Sequence, residues 1–207
     1  MKRLTVILLC SLLLISLFSC GKQTPVSDVP ETQTTFDVTT KEKINIKIEL
    51  TDGRVMEAEL YPDIAPITVQ NFVDLCTSGF YDGLIIHRVE SDFVIQTGDP
   101  NGNGTGGSGH TIKGEFSDNG VENNLKHAKG VLSMARKSTG NDTATSQFFI
   151  VCGATNSSKV KGLDGRYAAF GKLTSGYDVL SEIKSVKTDS NNKPLVDITI
   201  KYIRVVD

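Results

Sequence analysis

Apolar and polar residues alternate along most of the chain after residue 43, and this two-residue period predicts β-strands. Residues 44–50 carry Ile or Leu at every second position, a polar turn follows at 51–54, and residues 55–60 return as a second strand. This is the pattern of a hairpin with one buried face. Short apolar runs, separated by glycine-rich turns, follow at 84–89, 93–96, 131–135, 148–151 and 168–173, and residues 196–206 alternate again as a closing strand.

Two segments show a helical period instead. Behind Pro66, apolar side chains recur at i, i+3, i+4 and i+7 up to Cys76, and the pattern stops near Gly79. Proline is favoured in the first turn of a helix. Residues 177–183 repeat the helical spacing at Leu180 and Ile183. Many short strands with two helices predict a mainly β fold, a closed antiparallel barrel capped at its ends.

Residues 1–20 differ from the rest of the chain. Lys2 and Arg3 precede an uncharged apolar run over 4–18, and small residues follow it. This is the arrangement of an export signal. The sequence Leu-Phe-Ser-Cys at 17–20 resembles a bacterial lipobox, in which Cys20 receives a diacylglyceryl group and becomes the mature N-terminus. A plain secretory signal and an uncleaved hydrophobic anchor are the alternatives, and all three place the folded part outside the cytoplasm.

The next segment, residues 22–42, is rich in Thr, Pro, Ser and acidic residues and shows no sustained apolar period. It cannot bury enough apolar surface to fold by itself, so it is predicted to be a flexible tether. The predicted organisation is a lipoprotein signal peptide over 1–19, lipidated Cys20 with its tether over 20–42, and one folded domain over 43–207. We expect an extracytoplasmic protein attached to a bacterial cell membrane through Cys20.

Charge and composition exclude several partners and cofactors. Removing residues 1–19 takes away Lys2 and Arg3 and no acidic residue, so the net charge changes from −2 to −4. An acidic chain without clustered Lys and Arg is not expected to bind nucleic acid. No spacing of His, Cys and carboxylates resembles a metal site. The glycine-rich run at 102–109 lacks the Lys-Ser/Thr of a P-loop.

Two cysteines, Cys76 and Cys152, lie in the predicted domain, and neither belongs to a CxxC motif. They can pair in an oxidising compartment if their Cα atoms come within reach. A pair of buried, inert thiols is the prediction, and a disulfide is the alternative.

Seven local motifs follow one another along the predicted domain: PITVQNF at 66–72, YDGLIIHRV at 81–89, FVIQTGDP at 93–100, GTGG at 104–107, GVLSMA at 130–135, SQFFI at 146–150 and LDGRYAAFG at 163–171. In this order they resemble the cyclophilins, a family of peptidyl-prolyl cis/trans isomerases, from about residue 44 to 206. The resemblance implies a closed eight-stranded antiparallel β-barrel capped by two α-helices. It also implies a monomer that needs no cofactor and acts on proline-containing polypeptides.

The chemistry of such an enzyme is rotation about a peptide bond, which has a barrier of roughly 18–20 kcal/mol. The reaction transfers no proton, so His87 is assigned to packing rather than to base catalysis. An arginine suits the site because its guanidinium stays charged and offers rigid donors to the prolyl nitrogen as conjugation is lost. Arg88 is the candidate, although an arginine on a strand is more often a surface ion-pairing residue.

The resemblance implies the following roles for individual residues. Arg88, Phe93 and Gln96 would be catalytic. Phe93, Val94, Phe149 and Leu163 would line the proline pocket, Tyr167 would form an aromatic wall, Ala135 and Arg136 would offer main-chain groups to the residue before proline, and Gln147 and Gly104 would shape the neighbouring subsite. Ordinary core packing is the alternative for Phe93, Val94 and Phe149, and a satisfied buried amide is the alternative for Gln96.

The chain departs from the family pattern at four positions. Gly162 stands where many cyclophilins have Trp, so weak binding of cyclosporin-type drugs is expected. Tyr167 replaces a frequent His, Arg136 a common Asn and Val94 a common Met. None of these changes removes the cation, the aromatic ring or the glutamine, so isomerase activity on exported proteins is predicted. The alternative function is a non-catalytic module, or holdase, that binds proline-containing segments at the membrane surface.

Overall fold

Eight antiparallel strands carry the fold of residues 36–206, the part of the chain that the computed structural model describes. The strands are β1 (Ile44–Leu50), β2 (Val55–Leu60), β3 (Arg88–Val89), β4 (Val94–Thr97), β5 (Val131–Met134), β6 (Phe148–Val151), β7 (Ala169–Ser175) and β8 (Ile200–Val206). Their order across the sheet is β3-β4-β6-β5-β7-β2-β1-β8, and all neighbouring pairs are antiparallel. The predicted mainly β fold with eight antiparallel strands is confirmed.

The predicted closure of the barrel is wrong, because the sheet is an open half-barrel with β3 and β8 at its edges. β3 has two residues, too few to extend a ladder to β8. Instead, the segment just before β3 meets the residues around the start of β8. The N–H of Ile86 donates to the carbonyl of Ile198 (2.9 Å), and the N–H of Ile200 donates to the carbonyl of Leu84 (2.8 Å).

Three α-helices accompany the sheet in the described residues: α1 (Pro66–Thr77), α2 (Ser158–Lys161) and α3 (Tyr177–Ile183). The two predicted helices are present as α1 and α3, and α2 is additional. A remote residue caps α1: the carboxylate of buried Glu115 accepts hydrogen bonds from the N–H groups of Ile67 (3.1 Å) and Thr68 (2.8 Å). Two N–H groups of the first turn thereby gain a charged acceptor.

Strand alternation divides the apolar side chains of the sheet between two clusters on opposite faces. In β6, Phe148 and Ile150 enter the main cluster, which also holds the buried faces of α1 and α3. Phe149 and Val151, their neighbours in sequence, enter a smaller outer cluster. The outer cluster consists of Val94, Val131, Phe149, Val151, Val160, Leu163 and Ala169.

The folded structure begins before the boundary predicted at residue 43. Val38 is fully buried, and its N–H donates to Oε1 of Gln70 on α1 (3.2 Å). Nε2 of the same glutamine donates to the carbonyl of Phe36 (2.8 Å). The last residues of the predicted tether therefore pack on the domain. The predicted signal peptide and Cys20 lie outside the described residues.

Within residues 36–206, no helix has both the length and the apolar character that crossing a membrane requires.

Candidate active site

A pocket of about 140 Å³, which we call the apolar pocket after its buried apolar side chains, opens beside the outer cluster and brings together nine of the predicted site residues. Its walls are Arg88, Phe93, Val94, Gln96, Ala135, Arg136, Phe149, Leu163 and Tyr167. These residues lie on β3, β4 and β6, at Phe93 just before β4, and in the segments after β5 and α2. The outer face of the sheet therefore assembles side chains that are up to 79 positions apart, from Arg88 to Tyr167.

Packed, almost inaccessible side chains form the apolar surface of this pocket. Val94, Phe149 and Leu163 are 1%, 4% and 5% exposed. Tyr167 meets Phe149 edge to face, with the ring centroids 5.7 Å apart. Edge-to-face contacts hold aromatic rings in a defined geometry. The predicted alternative of core packing is therefore also true of Val94 and Phe149, which pack in the outer cluster and line the cavity at once.

Gly104 and Gln147, the other two predicted site residues, line an adjoining cavity of about 150 Å³, which we call the polar pocket. The two pockets share Gln96, Ala135 and Arg136. All of the predicted site residues within the described chain thus lie in one continuous groove. Cys20, predicted as the lipidation site, lies outside the described residues.

A chain of side-chain hydrogen bonds crosses the groove. Nη1 of Arg88 donates to Oε1 of Gln96 (3.1 Å), and Nε2 of Gln96 donates to Oε1 of Gln147 (2.8 Å). Nε2 of Gln147 then donates to the carbonyls of Gly104 (3.1 Å) and Gly106 (2.8 Å). The amide of Gln96 is therefore satisfied by protein groups, as its predicted alternative has it, and it also links Arg88 to the glycine-rich loop through Gln147.

Glu90, which belongs to none of the seven motifs, forms an ion pair with Arg88. Arg88 and Glu90 are two positions apart along an extended segment, a spacing that places side chains on the same side. The Nζ atom of Lys159 lies 3.7 Å from the other carboxylate oxygen of Glu90. Gln96 and Glu90 thus hold the guanidinium of Arg88 from two sides. The i, i+2 spacing of opposite charges was the available sequence signal.

The side chain of Arg136 has a larger role than its predicted main-chain contact. Its guanidinium lies over the rings of Phe116 (5.3 Å) and Tyr167 (5.0 Å). Its Nε donates to the carbonyl of Arg166 (2.9 Å). Cation–π contacts on two rings restrain the guanidinium. Arg136 therefore supports the aromatic wall that Tyr167 presents to the apolar pocket.

A buried polar cluster lies behind Phe149. The ring of His127 stacks on Phe149 with centroids 6.2 Å apart, and its Nδ1 lies 2.9 Å from Oδ1 of Asp164. Its Nε2 lies 3.0 Å from Oγ of Ser133. The order Ser-His-Asp resembles a hydrolytic triad, but Ser133 is fully buried and no substrate can reach it. Burial lowers the pKa of His127, although the nearby Asp164 carboxylate opposes this.

The remaining candidates for chemistry are buried. His87 is 5% exposed and burial lowers its pKa. Cys76 and Cys152 are free, buried thiols, so the predicted alternative of a disulfide between them is not formed. Burial raises the pKa of Cys152 to about 11. Among residues 36–206, no three His, Cys, Asp or Glu side chains are grouped to hold a metal ion.

Comparison with known proteins identifies the family. The family model described as cyclophilin type peptidyl-prolyl cis-trans isomerase matches residues 36–205. The chain belongs to this family of cyclophilins. The match starts at residue 36, where the described fold also starts, and leaves the N-terminal segment outside it. This cyclophilin is therefore a peptidyl-prolyl cis-trans isomerase.

Individual relatives of this cyclophilin cover nearly the whole folded part. It is 40% identical over 157 residues to the peptidyl-prolyl cis-trans isomerase ppi1 of Schizosaccharomyces pombe, covering 75% of this chain and 95% of the relative. It is 39% identical over 163 residues to peptidyl-prolyl cis-trans isomerase 10 of Caenorhabditis elegans, covering 78% and 95%.

A solved structure agrees with these matches. The crystal structure of a cyclophilin type isomerase of Cryptosporidium parvum aligns with a TM-score of 0.70 at 33% identity, covering 80% of this chain and 98% of that one. A second crystal structure of that protein was determined in the presence of the dipeptide Ala-Pro.

Proposed function

We propose that Arg88, Phe93 and Gln96 form the catalytic centre of this cyclophilin and that the apolar pocket holds the proline ring of the substrate. The position of Arg88 carries the proposal, because its cation stands at the wall of a pocket that the buried side chains of Val94, Phe149 and Leu163 also line. The structure of the Cryptosporidium relative determined in the presence of Ala-Pro supports a proline-containing ligand. Val94, Phe149, Leu163 and Tyr167 would enclose the ring.

The mechanism requires one selective contact. As the Xaa-Pro bond twists, its conjugation is lost and a lone pair appears on the prolyl nitrogen. An N–H of Arg88 donates to that nitrogen, and Gln96 binds the substrate backbone. Because the apolar walls exclude water, this charge-assisted hydrogen bond is stronger than it would be in solvent. Main-chain groups of Ala135 and Arg136 hold the residue before proline.

The test is cis/trans exchange of a short Xaa-Pro peptide, measured by NMR with the full chain in a non-ionic detergent. The enzyme should accelerate exchange, and Arg88→Ala should lower kcat/KM by about 10- to 1,000-fold, each tenfold step being about 1.4 kcal/mol of transition-state stabilisation. Arg204→Ala is the control, because Arg204 is an arginine on the other edge strand, paired with Asp82. Peptide binding without exchange would instead indicate the non-catalytic binding module.

We further propose that the enzyme is exported, carries a lipid on Cys20 and acts as a monomer on proteins that fold outside the cytoplasm. The basic, apolar and small-residue order of residues 1–20 supports this. Slow Xaa-Pro isomerisation limits folding there as elsewhere. A clickable fatty acid should label the chain in a bacterial host and should not label Cys20→Ser. Equal labelling of both chains would exclude the anchor.

Weak binding of cyclosporin-type drugs remains a prediction. Gly162 ends α2 and brings no side chain to the apolar pocket, where many cyclophilins have an indole. Titration with cyclosporin would test it, and affinity equal to that of a cyclophilin with this Trp would contradict it.

A further inference from the structure

The polar pocket carries a charge pattern that isomerisation itself does not require. Its walls are Gln96, Gly104, Thr105, Gly106, Ala135, Arg136, Lys137, Thr143, Thr145 and Gln147. Two of these residues are cations and none is acidic. The protein as a whole is acidic, with a net charge of −2. The positive character of this pocket is therefore local.

Neither cation of the polar pocket is neutralised by the described chain. Arg136 and Lys137 form no ion pair with any carboxylate of residues 36–206. The acceptors of the Arg136 guanidinium are the carbonyl oxygens of Arg166 (2.9 Å), Gly140 (3.3 Å) and Lys137 (3.4 Å). These neutral groups satisfy its donors and leave its charge uncompensated.

Arg88, on the other side of Gln96, differs from these two cations because its charge is compensated. Its charge is paired with Glu90, which in turn faces Lys159. The groove thus has one compensated cation at the apolar pocket and two uncompensated cations at the polar pocket. A substrate carboxylate would therefore gain more electrostatic stabilisation at the polar pocket than at the apolar pocket.

The guanidinium of Arg136 and the main chain of Lys137 are held in place before any ligand arrives. The N–H of Lys137 donates to Oγ1 of Thr143 (2.9 Å), and that hydroxyl also lies 2.9 Å from the carbonyl of Gly140. Arg136 is restrained by its two aromatic rings. Preorganised groups lose less entropy when they bind a ligand.

We propose that the polar pocket selects substrates with an Asp or Glu side chain two residues before the proline, through Arg136 and Lys137. The inference rests on the proposed function, in which the main chain of Ala135 and Arg136 holds the residue before proline. The polar pocket adjoins that contact, so the next substrate residue towards the N-terminus reaches it.

The experiment compares peptides of the form acetyl-Xaa-Ala-Pro-Phe-amide, with Xaa as Glu, Gln or Lys. With the full chain in non-ionic detergent, kcat/KM should fall in the order Glu, Gln, Lys. The Glu peptide should exceed the Gln peptide by about fivefold at low salt, since partly exposed ion pairs contribute about that much. High salt should reduce the ratio. A Glu placed after the proline should give no such preference.

Lys137→Glu is the decisive variant, because no side-chain hydrogen bond of Lys137 to the described chain would be lost. It should abolish the preference for Glu and favour the Lys peptide. Lys187→Glu is the matched control: it makes the same change of charge at an exposed position outside both pockets, and it should leave the ratio unchanged.

Equal rates for the Glu and Gln peptides would overturn the inference, and so would a ratio that Lys137→Glu leaves intact. A preference for Glu on both sides of the proline would also overturn it, because long-range attraction would then suffice. The proposed function fails separately, if even the Gln peptide is not accelerated. In that case the affinities of the three peptides, measured by NMR titration, still decide whether the pocket selects a carboxylate.

Discussion

Phe148 and Phe149 are adjacent in sequence and identical in chemistry, yet they belong to different parts of the molecule. Phe148 packs in the main cluster against Phe72 and Tyr81, with ring centroids 5.1 and 5.5 Å apart. Phe149 packs in the outer cluster and faces the apolar pocket. The main cluster is closed over by helices, whereas the outer cluster leaves a cavity. A strand buried on both faces thus packs into the main cluster with one face and borders a cavity with the other.

The largest expected effect separates these two rings. Phe148→Ala should lower the free energy of unfolding by about 3–5 kcal/mol, as large-to-small changes in packed cores do, and should leave kcat/KM per folded molecule almost unchanged. Phe149→Ala should destabilise less, because its ring already borders a cavity, and should lower kcat/KM by about tenfold or more through loss of the ring platform.

Urea unfolding and peptide exchange measure the two effects on the same samples. If Phe148→Ala does not fold, Phe148→Leu replaces it, with a smaller loss of stability and the same expectation for activity. Equal losses of activity in the two variants would show that the clusters do not divide stability from binding.

The next effect concerns the ion pair between Arg88 and Glu90 beside the apolar pocket. Glu90→Ala should lower kcat/KM by about three- to tenfold, because Arg88 loses one of its two partners. A hydrogen bond to a charged group contributes about 1.5–3 kcal/mol, and solvent exposure reduces this contribution. Glu90→Gln should retain most activity, since its amide oxygen can accept the same N–H. Glu182→Ala, which removes an exposed carboxylate paired with Arg54, is the control.

A variant Glu90→Ala that is faster than the wild type would have a different meaning. It would show that Glu90 competes with the substrate for Arg88 rather than orienting it.

The smallest effect is a dependence of stability on pH. Burial lowers the pKa of both His127 and His87. The unfolded chain therefore binds protons below about pH 6.5 that the folded chain does not bind, and stability falls as the pH drops below that value. Each histidine contributes at most about 1.4 kcal/mol per pH unit.

Urea midpoints at pH 7.5 and 5.5 measure this slope. His127→Gln should be less stable at pH 7.5 but should lose less on acidification, whereas His110→Gln, at an exposed position, should behave like the wild type. A slope that His127→Gln does not change would remove His127 from the explanation.

Much of the fold was predictable because its signals are local. The alternation of Ile44, Ile46 and Ile48 follows directly from one buried strand face, and the helical spacing behind Pro66 gave α1. α2 has four residues and no apolar period, so the sequence offered no comparable signal. Closure of the barrel was predicted wrongly, because it depends on how far β3 extends along β8, which no local pattern encodes.

The candidate site divides in the same way. The seven motifs predicted the residues of the groove, because the spacing within each motif can be read from the sequence alone. The partners of those residues come from elsewhere in the chain. Phe116 lies under Arg136, and Glu115, next to it, caps α1 from a distance of 48 positions in sequence. Such contacts appear only once the sheet has brought remote segments together.

The open seam of the half-barrel has a consequence for how a folding enzyme treats its clients. An exposed strand edge captures extended polypeptides as an extra strand, with a long row of main-chain hydrogen bonds. The edge strand that carries Arg88 has two residues, and the N–H of Val89 already donates to the carbonyl of Asn192 (2.8 Å). An unfolded chain therefore finds few free main-chain N–H and C=O groups to pair with beside the groove. Under the proposed function it would be held at the proline by side-chain pockets alone and released after each turnover.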